Sequence, residues 1–111
     1  MKAFSHIGIP TTVAREGEIY LDGAKLYVTE FNENDNKIEW LRFEEDSPLP
    51  EALKSTAHVA YMVDDLDAAM ATGETLMEPF APMDGLMVGF ILDDGAPVEF
   101  MQEVETTLSG E

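Results

Sequence analysis

Cysteine is absent from the 111 residues, which excludes disulfide staples, thiolate metal sites and a cysteine nucleophile together. Any metal would have to be held by imidazole and carboxylate. Basic side chains are scarce: Lys2, Arg15, Lys25, Lys37, Arg42 and Lys54 are the 6 of them, against 23 acidic ones, for a net charge of −17. Such a charge repels phosphate backbones and anionic lipid, so neither nucleic acid nor a membrane is expected as a partner. It also leaves few residues from which to build a clamp for a polyanionic substrate such as a CoA or a nucleotide. The acidity itself reads first as a solvated, self-repelling surface. No apolar run approaches the roughly 18 residues of a membrane span. Met1 to Ser5 pass directly into strand-like sequence without a signal-peptide core, so a cytoplasmic location is expected. A Gly-rich phosphate loop and a nucleophile elbow are lacking as well.

What the chain does have is an apolar fraction of 45%, enough for one modest core at this length. The expected arrangement is one domain over 1–111, with halves at about 4–46 and 57–103, a linker at 44–56 and a frayed tail at 104–111. Phe4 to Ile9 read as a strand, with Phe4, His6 and Gly8 on one face. Asp22-Gly23 between two short apolar runs suits a type I′ hairpin turn. A strand over Lys37 to Phe43 places Glu39, Leu41 and Phe43 opposite Ile38, Trp40 and Arg42. The acidic, proline-bearing stretch from Glu44 to Pro50 marks the boundary between halves, and Glu51 to Lys54 add at most a helical turn. In the second half, His58 to Val63 read as a strand. Asp64 or Asp65 caps a short helix running to about Thr72, a better account of these acids than a calcium loop. Strands over Thr75 to Phe80, Leu86 to Leu92 and Pro97 to Gln102 follow, the last two joined through Asp93-Asp94-Gly95.

The two halves match at both ends: His6-Ile7-Gly8-Ile9 against His58-Val59-Ala60-Tyr61, and Ile38-Glu39-Trp40-Leu41 against Val98-Glu99-Phe100-Met101. Internal repetition is the strongest organisational signal in the chain. A strand histidine taken singly is usually a structural residue, but both histidines here hold equivalent positions, and so do Glu39 and Glu99. In a duplicated fold, equivalent positions are related by a pseudo-two-fold axis, which lets two His and two Glu converge. That donor set suits a divalent ion such as Zn, Ni, Co, Mn or Fe(II), with room for water or substrate. Burying Glu99 in a chain this poor in Lys and Arg calls for a metal, a proton or water beside it. Glu39 is more readily a solvated strand residue. The methionines, Trp40, Tyr20, Tyr27, Tyr61 and Phe90 read first as core and sheet packing.

This plan, the opening His-Ile-Gly-Ile, the segment from His58 to Ala69 and the closing Gly95-Ala96-Pro97-Val98-Glu99-Phe100 resemble the vicinal-oxygen-chelate superfamily of glyoxalase, bleomycin-resistance and extradiol-dioxygenase proteins. The resemblance covers about Phe4 to Gln102 and is better in the second half. It implies an α+β fold of two βαβββ-type units forming a cup-shaped mixed sheet, the first lacking most of its helix because Pro10 to Glu18 leave no room for it. It also implies metal ligation by His6, Glu39, His58 and Glu99, with Glu99 the catalytic residue. The gap in the first half favours a homodimer, in which a partner chain covers it. Glutathione is not expected as co-substrate, because Arg15 and Arg42 are the only arginines. Two functions follow as expectations: a metal-dependent isomerase, lyase or dioxygenase acting on a small substrate with vicinal oxygens, or a metal-free small-molecule binding protein.

Overall fold

The computed structural model describes residues 2–105, so the expected tail lies outside the described residues from 106 onward. Its strands are β1 (Lys2–Pro10), β2 (Ile19–Leu21), β3 (Leu26–Val28), β4 (Ile38–Phe43), β5 (His58–Val63), β6 (Glu74–Met83), β7 (Leu86–Asp93) and β8 (Ala96–Glu103). A single 3-10 turn (Phe31–Glu33) and the helices α1 (Glu51–Ser55) and α2 (Leu66–Met70) complete it.

All eight strands join one mixed sheet in the order β2-β3-β4-β1-β5-β8-β7-β6, curled into a half-barrel cup. The order is the same in both halves when read outward from the centre. β1 pairs in parallel with β4, β5 pairs in parallel with β8, and the halves meet where β1 and β5 run antiparallel. The α+β cup expected from the resemblance is therefore the observed architecture.

Alternation along the strands sorts side chains between the hollow of the cup and its outside. Glu39, Leu41 and Phe43 line the hollow, while Trp40 and Arg42 face outward onto Arg15 and Tyr27, as their spacing predicts. Inside, Leu53, Ala60, Val88, Phe90 and Met101 form a buried cluster. Outside, Leu66 and Met70, one helical turn apart on α2, pack with Ile91 and Phe100. Burying each of these large side chains stabilises the fold by about 1.5–3 kcal/mol. The helix starts where Asp65 accepts a hydrogen bond from the backbone N–H of Ala68, and it can lie close to β7 because Gly89 has no side chain: a Cβ there would sit 2.6 Å from Met70 Sδ.

The first half has no helix between β1 and β2, in line with the shortage of residues there. Two cation–π stacks cover that outer face instead. The Arg15 guanidinium lies 3.9 Å from the centre of the Trp40 ring and Arg42 lies 4.1 Å from that of Tyr27. Arg42 is in turn clamped by Glu18 through two hydrogen bonds of 2.8 and 2.7 Å. The segment 11–18 thus replaces a helix with a strap of stacked and paired side chains.

Two local expectations are corrected. The turn at Asp22-Gly23 is not a two-residue hairpin: β2 ends at Leu21, β3 begins at Leu26, and it is Lys25 that takes positive φ, at 54°. The two-residue loop is Asp94-Gly95, with φ of 52° and 89° and Asp93 paired to Ala96. Phe4 does not share a face with His6. The β1·β5 register slips between them, pairing Phe4 with Tyr61 and His6 with Ala60, so the inserted residue Ser5 turns Phe4 to the outside.

Candidate metal centre

The central strands bring four ionisable side chains to the floor of the cup, and the register explains how. Across β1·β5, His6 lies opposite Ala60 and Gly8 opposite His58. Across the parallel pairs, Gly8 aligns with Glu39 and Ala60 with Glu99. Each small residue therefore has a His on one flank and a Glu on the other, the two sets being related by the pseudo-two-fold axis at the seam. Gly8 and Ala60 are small because the imidazoles fold over them: a Cβ on Gly8 would fall 2.3 Å from His58 Cε1, and Ala60 is fully buried.

His6, His58 and Glu99 are buried, with 2%, 5% and 8% of their surfaces exposed. His6 Nε2 lies 3.5 Å from Glu39 Oε1 and 3.4 Å from Glu99 Oε1, and His58 Nε2 lies 3.0 Å from the same Glu99 oxygen. The His58–Glu99 contact is a hydrogen bond. The two contacts of His6 are attractions of charge at a longer range, and its Nε2 has no hydrogen-bond partner. His58 Nδ1 is also buried without one. Orphaned polar atoms in a buried place are costly, and imidazole nitrogens and carboxylate oxygens gathered at one point are donor types that a divalent ion takes. One ligand atom each of His6, Glu39 and His58 lie within 4.8 Å of one another, so this buried group could hold a metal ion. Glu39, which sequence alone leaves open as a solvated residue, belongs to that trio.

The surroundings fix the rings. Ser5 Oγ lies 2.9 Å from His6 Nδ1; when the hydroxyl accepts from Nδ1–H, the Nε2 lone pair is left facing the cup. Phe31, carried in by the 3-10 turn, stacks on His6 with ring centres 3.9 Å apart, and Phe90 meets His58 edge-on at 5.3 Å. Neither Ser5 nor Phe31 is singled out by sequence. Ser5 adjoins a candidate ligand, whereas nothing local marks Phe31, whose approach depends on how the β3–β4 connection folds.

Burial by itself would depress the pKa of His6, but the carboxylates of Glu39 and Glu99 outweigh it and raise it to about 9. Burial by itself would raise Glu99; the two histidines overcome this and hold it below the usual carboxylate value. Without an ion, the His6 imidazolium at the floor of the cup is thus held by the carboxylates of Glu39 and Glu99.

Above this floor opens a cavity of about 760 Å³, within the range typical of small-molecule sites. Its walls are mainly apolar and come from both halves.

Among solved structures, the chain is similar to the crystal structure of a hypothetical protein from Bacillus halodurans, with a TM-score of 0.68 and 19% identity over 96% of this chain and 97% of that one. A likeness at this identity shows the fold alone. The curled mixed half-barrel fits a fold of the vicinal-oxygen-chelate kind. No protein-family model matches the sequence, and no curated protein matches it.

Proposed function

We propose that this chain is a metal-dependent enzyme of glyoxalase type, acting on a small substrate through two adjacent oxygens. The observation that carries the reading is the unpartnered, buried Nε2 of His6, facing the carboxylates of Glu39 and Glu99 with His58 alongside. His6, His58, Glu39 and Glu99 would hold the ion, drawn from Zn, Ni, Co, Mn or Fe. Bound there, a divalent ion supplies Lewis acidity that polarises substrate oxygens.

The remaining work falls to the chain's own groups. Ser5 and Phe31 hold the His6 ring, and Phe90 the His58 ring, so little reorganisation is needed on binding. Glu99, kept ionised by the histidines, would accept a proton from a carbon beside a substrate carbonyl and return it to the neighbouring position. The apolar walls exclude water from that exchange. The reaction class is an isomerisation or elimination by proton transfer, and with Fe(II) in place of Zn or Ni the alternative is an oxygenation.

A second reading is favoured by the pairing of charges within the cluster itself. Because the charge of a protonated His6 is compensated by two carboxylates without an ion, a metal-free binding protein that holds its ligand in the cup fits the same geometry. The proposal also keeps a homodimer, which light scattering tests directly. Among the described residues, no helix is long and apolar enough to cross a membrane.

Elemental analysis of the purified protein, with His6→Ala and His58→Ala beside it, decides between the readings. Near-stoichiometric divalent metal that is lost in both variants is the expected result. A wild-type protein that is free of metal and cannot be reloaded with any of the five ions would overturn the enzyme reading and leave the binding protein. In a metal-loaded enzyme, Glu99→Gln is expected to lower kcat by on the order of 100-fold or more.

A further inference from the structure

Every basic side chain of this protein is engaged away from the cup. Lys2 lies over the Tyr61 ring, Arg15 over Trp40 and Arg42 over Tyr27. Lys25 pairs with Asp46, Lys37 donates to the Asn32 side chain and Lys54 to the Ser47 carbonyl. Among the described residues no lysine or arginine lines the cavity; its carboxylates are Asp22, Glu30, Glu39 and Glu99, and its one cationic group is His6, at the floor. Of these, Glu39 and Glu99 sit at the floor in the histidine cluster, and the exposed Glu30 is occupied in accepting from the Asn32 N–H. Above the floor the lining is Leu21, Phe31, Leu49, Met77, Phe80 and Met83 among others of the same kind. A carboxylate or phosphate on a ligand would lose its hydration there and meet only acidic charge. An ammonium in the upper cup would lose its hydration among alkyl and aryl groups, because the two lining carboxylates outside the floor, Asp22 and Glu30, are exposed and solvated.

We propose that the ligand of this cup has a chelating pair of oxygens at one end and an uncharged, apolar body at the other, seated against the Met77–Phe80–Met83 wall. The chelating end rests on the metal-dependent reading above; the apolar body rests on the cavity alone. Thioesters of CoA, glutathione adducts, sugar phosphates and keto acids with a distal carboxylate are thereby excluded as substrates. A molecule of this kind has its polar atoms gathered at one end, so the reaction supplying it is one that leaves adjacent oxygens on an otherwise hydrocarbon skeleton.

The test uses four hydroxamates on the metal-loaded protein: acetohydroxamate, octanohydroxamate, and the latter with a terminal carboxylate or a terminal ammonium. The head group is constant and only the tail varies. Octanohydroxamate is expected to bind at least tenfold more tightly than acetohydroxamate, about what burying two methylenes supplies. Both charged tails are expected to lose most of that gain. The contact is located by methyl NMR of the methionines: Met77, Met83 and Met101 line the cup and should shift, while Met70 and Met87 belong to the outer cluster and should not. Met83→Lys, at a position 63% exposed, should raise the affinity of the carboxylate tail and lower that of the alkyl tail. Leu21→Lys, 41% exposed, repeats the test should the first variant not fold.

Equal affinities for all tails would overturn the proposal. So would the order ammonium, alkyl, carboxylate, because that order reports only the field of a chain of net charge −17. If acetohydroxamate fails to bind and no metal loads, the metal-dependent reading falls on its own. 1-Octanol and its terminally charged analogues, titrated against metal-free protein with the same methyl signals, still decide whether the cup prefers an uncharged tail.

Discussion

Gly8 occupies a place in β1 where a methyl group would collide with the His58 ring, 2.3 Å from its Cε1. Gly8→Ala is therefore expected to push His58 off Glu99, costing about 1–3 kcal/mol of stability from overpacking. It should also lower metal occupancy, which elemental analysis and urea denaturation report separately. His6 gives a pH dependence whose sign can be worked out. Its folded pKa of about 9 lies above its ordinary value of 6.5, so it contributes stability to the metal-free protein that is fully present below about pH 6.5 and lost as pH rises through about 9. Urea midpoints of metal-free protein should fall across that window, and His6→Gln should remove the slope. Affinity for a divalent ion should rise over the same range, since the ion displaces the proton from Nε2. At this scale the four ionisable residues are legible in sequence, because a chain with 2 histidines that places both at the start of a repeat leaves little choice. Gly8, Ser5 and Phe31 are not, because their roles depend on cross-strand register and on a ring brought in from a distant turn.

At the scale of elements, Asp-Gly occurs in two turns and has a different fate in each. At Asp94-Gly95 both residues adopt positive φ between strands in direct register, the geometry of a type I′ turn. At Asp22-Gly23 the loop is longer and is held from outside, by Ser47 Oγ donating to the Ala24 carbonyl and by Lys25 pairing with Asp46. The dipeptide is identical, and what separates the two is tertiary contact from the linker, which no local pattern carries. Gly95→Ala, forced to φ of 89°, is expected to cost on the order of 1 kcal/mol or more. A thermal melt checks this, with Gly23→Ala, where φ is not positive and no atom lies within 4 Å of a new Cβ, expected to be near neutral. The helix of the second half was readable from Asp65 and the Leu66–Met70 spacing. The absence of a first helix was readable too, from length, but its replacement by Arg15 on Trp40 and Glu18 on Arg42 was not, since those partners are far apart in the chain.

For the whole molecule, 23 acidic side chains against 6 basic ones make self-repulsion a standing cost of the folded state. Salt is expected to raise Tm, steeply between about 10 mM and 0.2 M, as the screening length shrinks to less than the size of the domain. An unchanged melting temperature over that range would mean that the acids are spaced widely enough not to interact. The duplicated plan of the sheet was legible because repetition is a property of the whole sequence and survives local irregularity, such as the extra residue at Ser5.

The seam between β1 and β5 joins the halves through one antiparallel ladder, and the two ends of the proposed chelating set stand on opposite sides of it: His6 and Glu39 on one, His58 and Glu99 on the other. Strand separation at that ladder would divide the set at once, leaving neither side with more than one imidazole. An ion seated there would behave as a clasp, so its departure and the fraying of the sheet's midline become a single event. The slowest-exchanging backbone amides of the loaded protein should accordingly be those of β1 and β5, and they should be the first to quicken when the ion is taken away.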